Sequence, residues 1–268
     1  MPKAHVNGIN INYKVNGEGE PLVLIMGFAG PGSAWFFQTR AFKKHYRVVT
    51  FDNRDALFGK TDSTGEAYTI KTMADDTIGL MDHLGIDRAH ILGYSMGGMI
   101  AQEIAINYPE RVRRLILAST ISSASQLAPE LLGRFGLDED SSEEDLRSVD
   151  VKETLGSLAA LAFNSRLYRI VIARTFPIFS RLGGIKGLKG QVEAVAGCDT
   201  LDRLQTIGAQ TLVIVGTEDK VTSPSGSEVI AGRIPNAGLV KVEGGSHAYA
   251  FEMRGRFNRE VLNFLRDS

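Results

Sequence analysis

The sequence predicts an α/β fold with a mostly parallel central sheet, helices on both faces, an antiparallel N-terminal hairpin and a helical insertion. Three observations carry this. Short apolar runs recur at residues 22–26, 48–51, 91–92, 115–118 and 212–215, bounded by glycine or polar residues and without alternation. Strands covered on both faces read this way, whereas a strand with one wet face alternates. Helical stripes fall between the runs, and strand–helix alternation implies parallel strands joined by right-handed crossovers. The alternation stops after Ala118 and resumes only at Thr211, which leaves a long block without a buried strand.

The elements follow in order. Asn7-Gly8 suits a type I′ turn, and Ile9, Ile11 and Tyr13 alternate with polar neighbours, the pattern of a hairpin. A helix over 72–84 puts Met73, Thr77, Leu80, Met81 and Leu84 on one stripe and ends at Gly85. A second helix over 96–108 is stopped by Pro109. In the insertion, Ser141 with Glu144 reads as a capping box. Leu155, Leu158, Leu161 and Ala162, then Leu167, Ile170, Val171 and Ile172, continue in helical style. The acidic run 138–145 reads as solvated, and Gly183, Gly184, Gly187 and Gly190 as a flexible break. Residues 238–242 form a last strand and 254–266 a last helix. The expected division is a core of residues 1–120 and 205–268 with a helical cap over 121–204.

Bulk properties narrow the function. The 268 residues suit one large α/β domain. With 30 basic and 31 acidic residues the net charge is −1, so no basic field draws nucleic acid. No apolar N-terminal segment reads as a secretory signal and no run is long enough to span a membrane. A cytoplasmic protein with a small-molecule partner is the expectation. The single cysteine, Cys198, allows no intramolecular disulfide. It follows no glycine-rich turn and reads as a packed thiol rather than a nucleophile.

Residues 91–99, Ile-Leu-Gly-Tyr-Ser-Met-Gly-Gly-Met, carry the chemistry. They place G-x-S-x-G between a buried strand and an alanine-containing helix. Such a turn is sharp, so glycines two before and two after the serine avoid clashes, and Ser95 rises above the sheet at a helix N-terminus.

A serine hydroxyl is a poor nucleophile until a base takes its proton. Of five histidines, His5 sits at the hairpin, His45 ahead of a strand, His83 near a helix end and His90 at the start of the strand leading to Ser95. Only His247, in Gly244-Gly245-Ser246-His247, follows a strand at the carboxyl edge where sites gather in such sheets. The orienting acid should also follow a strand. Glu218 and Asp219 both do, and the reach of Asp219 suits it better, with Glu218 as the alternative. An oxyanion hole needs two backbone N–H donors. Met96 supplies one by position, and the loop Gly27-Phe28-Ala29-Gly30 supplies Phe28.

These stretches resemble the α/β-hydrolase superfamily, within it the 3-oxoadipate enol-lactonase and small-esterase group. The likeness rests on Tyr68-Thr69-Ile70 with Ala74-Asp75-Asp76, Leu84-Gly85-Ile86, Ser95-Met96-Gly97-Gly98-Met99-Ile100-Ala101-Gln102 and Pro109-Glu110-Arg111-Val112. The order Ser, Asp, His agrees with that family's triad. Two places depart from it. Met26-Gly27 stands where relatives often have His-Gly. Asp55, Leu57 and Phe58 replace a shorter glycine-rich loop after Asp52-Asn53-Arg54. Leu57 and Phe58, with Tyr94, are candidates to line a pocket.

The reading is therefore a serine hydrolase of a small, largely apolar carboxylic ester or lactone, needing no cofactor or metal. Carbon–carbon bond hydrolysis or perhydrolysis on the same triad, and a ligand receptor with vestigial hydrolysis, are the alternatives. The cap decides the substrate, with Leu131, Leu132, Phe135, Leu158, Phe163, Phe176 and Phe179 facing either the pocket or the cap's own core.

Overall fold

The computed structural model describes residues 2–57, 59–61, 67–165 and 187–266. Eight strands form one sheet: β1 (Lys3–Val6), β2 (Ile9–Asn16), β3 (Pro21–Ile25), β4 (Arg47–Phe51), β5 (Ala89–Tyr94), β6 (Val112–Ala118), β7 (Gln210–Gly216) and β8 (Ala237–Val242). Their order is β1-β2-β4-β3-β5-β6-β7-β8. β2 runs antiparallel to both β1 and β4, and the other pairings, from β4–β3 to β7–β8, are parallel. The hairpin turns at Asn7 and Gly8, both at positive φ, as a type I′ turn requires.

Ten helices accompany the sheet among the described residues: α1 (Phe36–Phe42), α2 (Ile70–His83), α3 (Met96–Asn107), α4 (Pro129–Arg134), α5 (Glu143–Ser148), α6 (Val151–Leu161), α7 (Leu188–Ala196), α8 (Pro224–Arg233), α9 (Tyr249–Glu252) and α10 (Arg254–Arg266). The two-residue period of each strand splits its side chains between two cores. Val23, Ile25, Ile91 and Leu115 pack with Met73 and Met81 of α2, Ile100 of α3 and Ile230 of α8. Leu22, Leu24, Leu92 and Ile116 face the other way onto Phe42 of α1 and Phe257 and Val261 of α10. Helices on both faces explain why the strand sequences are continuous apolar runs.

Local signals set the helix ends. α2 starts two residues before the expected 72, because Thr69 caps it in a reciprocal pair with Thr72. In the insertion the capping box is shifted by one residue. Ser142 with Asp145 caps α5, while the Ser141 hydroxyl turns back to Asp138. Tandem serines ahead of three consecutive acids offer two overlapping registers, and the sequence pattern does not choose between them. The helices α4–α7 lie between β6 and β7. No helix of the described residues is long and apolar enough to cross a membrane.

Candidate active site

Ser95 sits between β5 and α3 at φ 55°, in the left-handed region that costs a non-glycine residue of order 1–3 kcal/mol. The surroundings hold it there. Its N–H donates to the Ala118 carbonyl at 2.9 Å, and its carbonyl accepts from the Thr120 hydroxyl at 2.8 Å. A Cβ at Gly97 would lie 2.2 Å from the Ile25 carbonyl oxygen, so only glycine lets α3 start this close to β3.

His247 Nε2 lies 3.1 Å from Ser95 Oγ, and its Nδ1 lies 2.8 Å from Asp219 Oδ2. The Asp219 carboxylate is held from both sides by its own turn. Oδ1 accepts from the N–H groups of Val221 and Thr222, both at 2.9 Å. Oδ2 accepts from the Thr222 hydroxyl at 2.9 Å, beside the His247 ring. The Thr222 hydroxyl also stands 3.3 Å from Nδ1. On the far side, the Tyr94 hydroxyl donates to the His247 carbonyl at 2.8 Å.

The hydroxyl, imidazole and carboxylate thus form a hydrogen-bonded line across residues 95, 247 and 219. Ser95 opens into a cavity of about 80 Å³ whose wall includes Phe28, Met99, Leu127, Leu131, Phe135 and Leu158. Among the described residues no charged side chain stands in that wall, and its polar members are Ser95, Thr154 and Thr222. Neither the Phe28 nor the Met96 N–H meets an acceptor among the described residues, and both residues line the cavity beside Ser95. For Met96 this follows from its place in the first turn of a helix, where N–H groups lack intrahelical partners.

A family model for the alpha/beta hydrolase fold matches residues 20–252. The chain belongs to the α/β-hydrolase family. A protein of Mycobacterium tuberculosis named as the non-heme bromoperoxidase BpoC is 30% identical over 96% of this chain and 98% of its own. The enol-lactonase of Burkholderia xenovorans LB400 superposes with a TM-score of 0.79 at 27% identity, covering 99% of this hydrolase and 100% of the lactonase. The meta-cleavage product hydrolase of Pseudomonas fluorescens IP01 gives 0.82 at 28% identity, covering 100% and 98%.

The remaining candidates of this hydrolase lie elsewhere. Glu218 is exposed and its carboxylate accepts from the Asn164 amide at 2.7 Å, so it is not the residue beside His247. His5 pairs with Asn10 and His83 lies edge-on to Tyr13. His45 meets Arg266, and His90 meets Glu20 at 3.1 Å at the opposite end of β5, where burial holds its imidazole below the ordinary value. Cys198 is buried, and burial pushes its thiol up to about 12, unsuited to a nucleophile.

Two pocket candidates need correction. Tyr94 is the last residue of β5, and its ring lies on the face shared with Leu92, against Trp35 and Phe251, rather than in the cavity wall. Leu57 packs with Ala29, Val151, Leu188 and Val192 rather than in the cavity wall. Phe58, Phe176 and Phe179 lie outside the described residues. Of the other insertion residues, Leu131, Phe135 and Leu158 reach the cavity, Leu132 packs with Ala124 and Leu146, and Phe163 with Leu131 and Val221.

Sequence reading missed Thr222 and the Tyr94 hydroxyl. Asp side chains commonly bond the backbone of their own turn, which was the available signal for the segment after Asp219, but no residue type marks Thr222 as the partner hydroxyl. Tyr94→Phe is expected to cost about 1 kcal/mol of stability, the net value of one buried hydrogen bond. The Ser119 hydroxyl, 3.3 Å from the same carbonyl, limits the loss. A shifted urea midpoint at unchanged slope checks this.

Proposed function

We propose that this chain is a serine hydrolase that cleaves a small, largely apolar carboxylic ester or lactone through an acyl-enzyme. The observation that carries the reading is the hydrogen-bonded line from Asp219 through His247 to Ser95, opening into an apolar cavity. Ser95 Oγ attacks the carbonyl carbon while His247 Nε2 takes its proton. Asp219 accepts the Nδ1–H, which fixes the tautomer with its lone pair on Nε2 and stabilises the imidazolium. The oxygen that becomes negative receives the N–H groups of Phe28 and Met96. Collapse of the tetrahedral intermediate breaks the C–O bond, and His247 returns the proton to the leaving alkoxide. Water, deprotonated by the same histidine, then releases the acid. Residues 121–204 act as a cap whose apolar side chains receive the acyl or alcohol group.

The test is a series of p-nitrophenyl esters of increasing acyl length. Burial of a methylene is worth about 0.8 kcal/mol, so kcat/KM should rise about fourfold per carbon until the cavity is full, then fall. A succinate half-ester, with a free carboxylate, should be slower than butyrate by about tenfold or more, because that charge would be desolvated against an apolar wall. A faster half-ester would overturn the apolar specificity. If esters and lactones of every length are inert, the reading passes to carbon–carbon bond hydrolysis, perhydrolysis or ligand capture.

A further inference from the structure

Asp55, which follows Asp52-Asn53-Arg54, forms with Tyr68 a socket for α7. Asp55 is held at φ 58° and its Oδ2 accepts from the Tyr68 hydroxyl at 2.9 Å. A Cβ at Gly190 of α7 would lie 2.6 Å from the Tyr68 ring, and one at Gly187 would lie 2.2 Å from Asp55 Oδ1. These glycines, expected to mark a flexible break, instead let the start of α7 seat its backbone against the pair. The next residue, Gln191, is fully buried and uses both ends of its amide. Its Oε1 accepts from the Ala29 N–H at 2.7 Å, and its Nε2 donates to the Arg54 carbonyl at 2.5 Å. The Ala29 carbonyl in turn accepts from the Leu57 N–H at 2.8 Å.

Ala29 is an unexpected residue for its place. Gly27 to Gly30 form a turn closed by the Gly30 N–H donating to the Gly27 carbonyl at 3.1 Å. Ala29 is its third residue, at φ 58°. A turn with positive φ only at that position follows the type II pattern, which strongly favours glycine there. Without help, alanine would prefer the central peptide flipped over. That peptide presents its N–H to Gln191, so the glutamine holds the orientation that the local sequence disfavours. The turn also carries Phe28, whose N–H is the proposed oxyanion donor. We propose that Gln191 is a positioning residue: seated by the Asp55–Tyr68 socket, it latches the Gly27–Gly30 turn so that the Phe28 N–H meets the developing oxyanion. Docking of α7 and assembly of the oxyanion hole are therefore one event.

This proposal rests on the serine-hydrolase reading, and the experiment separates the two. Loss of a whole oxyanion donor costs about 100- to 1,000-fold in kcat, and a displacement of about 1 Å can cost about 100-fold. Gln191→Leu keeps the bulk and removes both hydrogen bonds. It is expected to lower kcat on p-nitrophenyl butyrate by about 10- to 100-fold with KM changed less than about threefold. Affinity for a trifluoromethyl ketone, which forms the tetrahedral oxyanion on the serine, should fall by a similar factor, while affinity for butyrate as a product inhibitor stays. Adding Ala29→Gly, which accepts the positive φ without the latch, should restore about fivefold or more of kcat. Gln191→Glu still accepts from Ala29 but cannot donate to the Arg54 carbonyl; it should show an intermediate loss, and it decides the matter if Gln191→Leu does not fold. A folded Gln191→Leu with wild-type kcat, or a loss confined to KM, overturns the latch. Activity that survives Ser95→Ala overturns instead the serine-hydrolase reading beneath it.

Discussion

Under the proposed serine-hydrolase mechanism, Ser95→Ala is expected to lower kcat by about a millionfold, as much as loss of the whole triad. The substitution removes one oxygen and little else. Alanine carries the same Cβ, so the left-handed backbone at φ 55° costs it about what it costs serine, and the hydrogen bonds of residue 95 to Ala118 and Thr120 use main-chain atoms. The His247–Asp219 pair remains, as does the apolar cavity. Substrate binding should persist while chemistry stops, so equilibrium binding of an ester to Ser95→Ala should lie near the wild-type dissociation constant. The residual rate, about 1,000-fold above water, would come from the N–H donors and from holding the ester in place. In the proposed mechanism serine and histidine act as a unit, so adding His247→Ala to Ser95→Ala should cost almost nothing more. Turnover by Ser95→Ala at more than about a hundredth of the wild-type rate would mean that another group attacks the carbonyl.

The parts of this molecule that were legible in its sequence are those governed by local rules. Residues 22–25 and 212–215 are apolar without alternation because each strand is covered twice, and burial on both faces leaves that mark in the sequence itself. The strand-to-helix turn that places Ser95 was legible because such a strained turn needs glycines at fixed offsets, and the loop that brings His247 within 3.1 Å of it because the other histidines fall elsewhere in the alternation. What was not legible depends on facing rather than on pattern. Tyr94 and Ser95 are adjacent, yet one is in the core beneath the site and the other opens into the cavity. Leu57 is as apolar as a pocket residue but covers Ala29 and Leu188. Gln191 meets Ala29 across 162 positions of sequence, and no periodicity announces such a contact. The glutamine and the alanine at φ 58° each look ordinary in their own stretch of chain; only together do they explain one another.

The second large effect is expected from Asp219→Asn, a drop in kcat of about 10,000-fold. The carboxylate and the amide have the same shape, so the loss tests the proton rather than the packing. Oδ1 of Asp219 accepts from two backbone N–H groups, those of Val221 and Thr222. An amide NH2 placed there would face two donors, so the asparagine must put its oxygen on that side. Its nitrogen is then driven to the position of Oδ2, 2.8 Å from His247 Nδ1. There it donates where the carboxylate accepted. His247 Nδ1 becomes the acceptor, the imidazole proton moves to Nε2, and Nε2 faces the Ser95 hydroxyl with a hydrogen instead of a lone pair. The Thr222 hydroxyl is no barrier to the swap, since it rotates to accept from the amide. Two measurements check the argument: kcat on a p-nitrophenyl ester, and the imidazole nitrogen resonances, which should report the proton on Nε2 in the variant and on Nδ1 in the parent. Glu218→Gln is the companion variant. Because Glu218 is exposed and engaged with Asn164, it should retain kcat within about twofold, as surface changes away from the site do. If Asp219→Asn lost less than about a hundredfold while Glu218→Gln lost more, the orienting carboxylate would be Glu218, and the turn at 216–222 would have to rearrange when substrate binds.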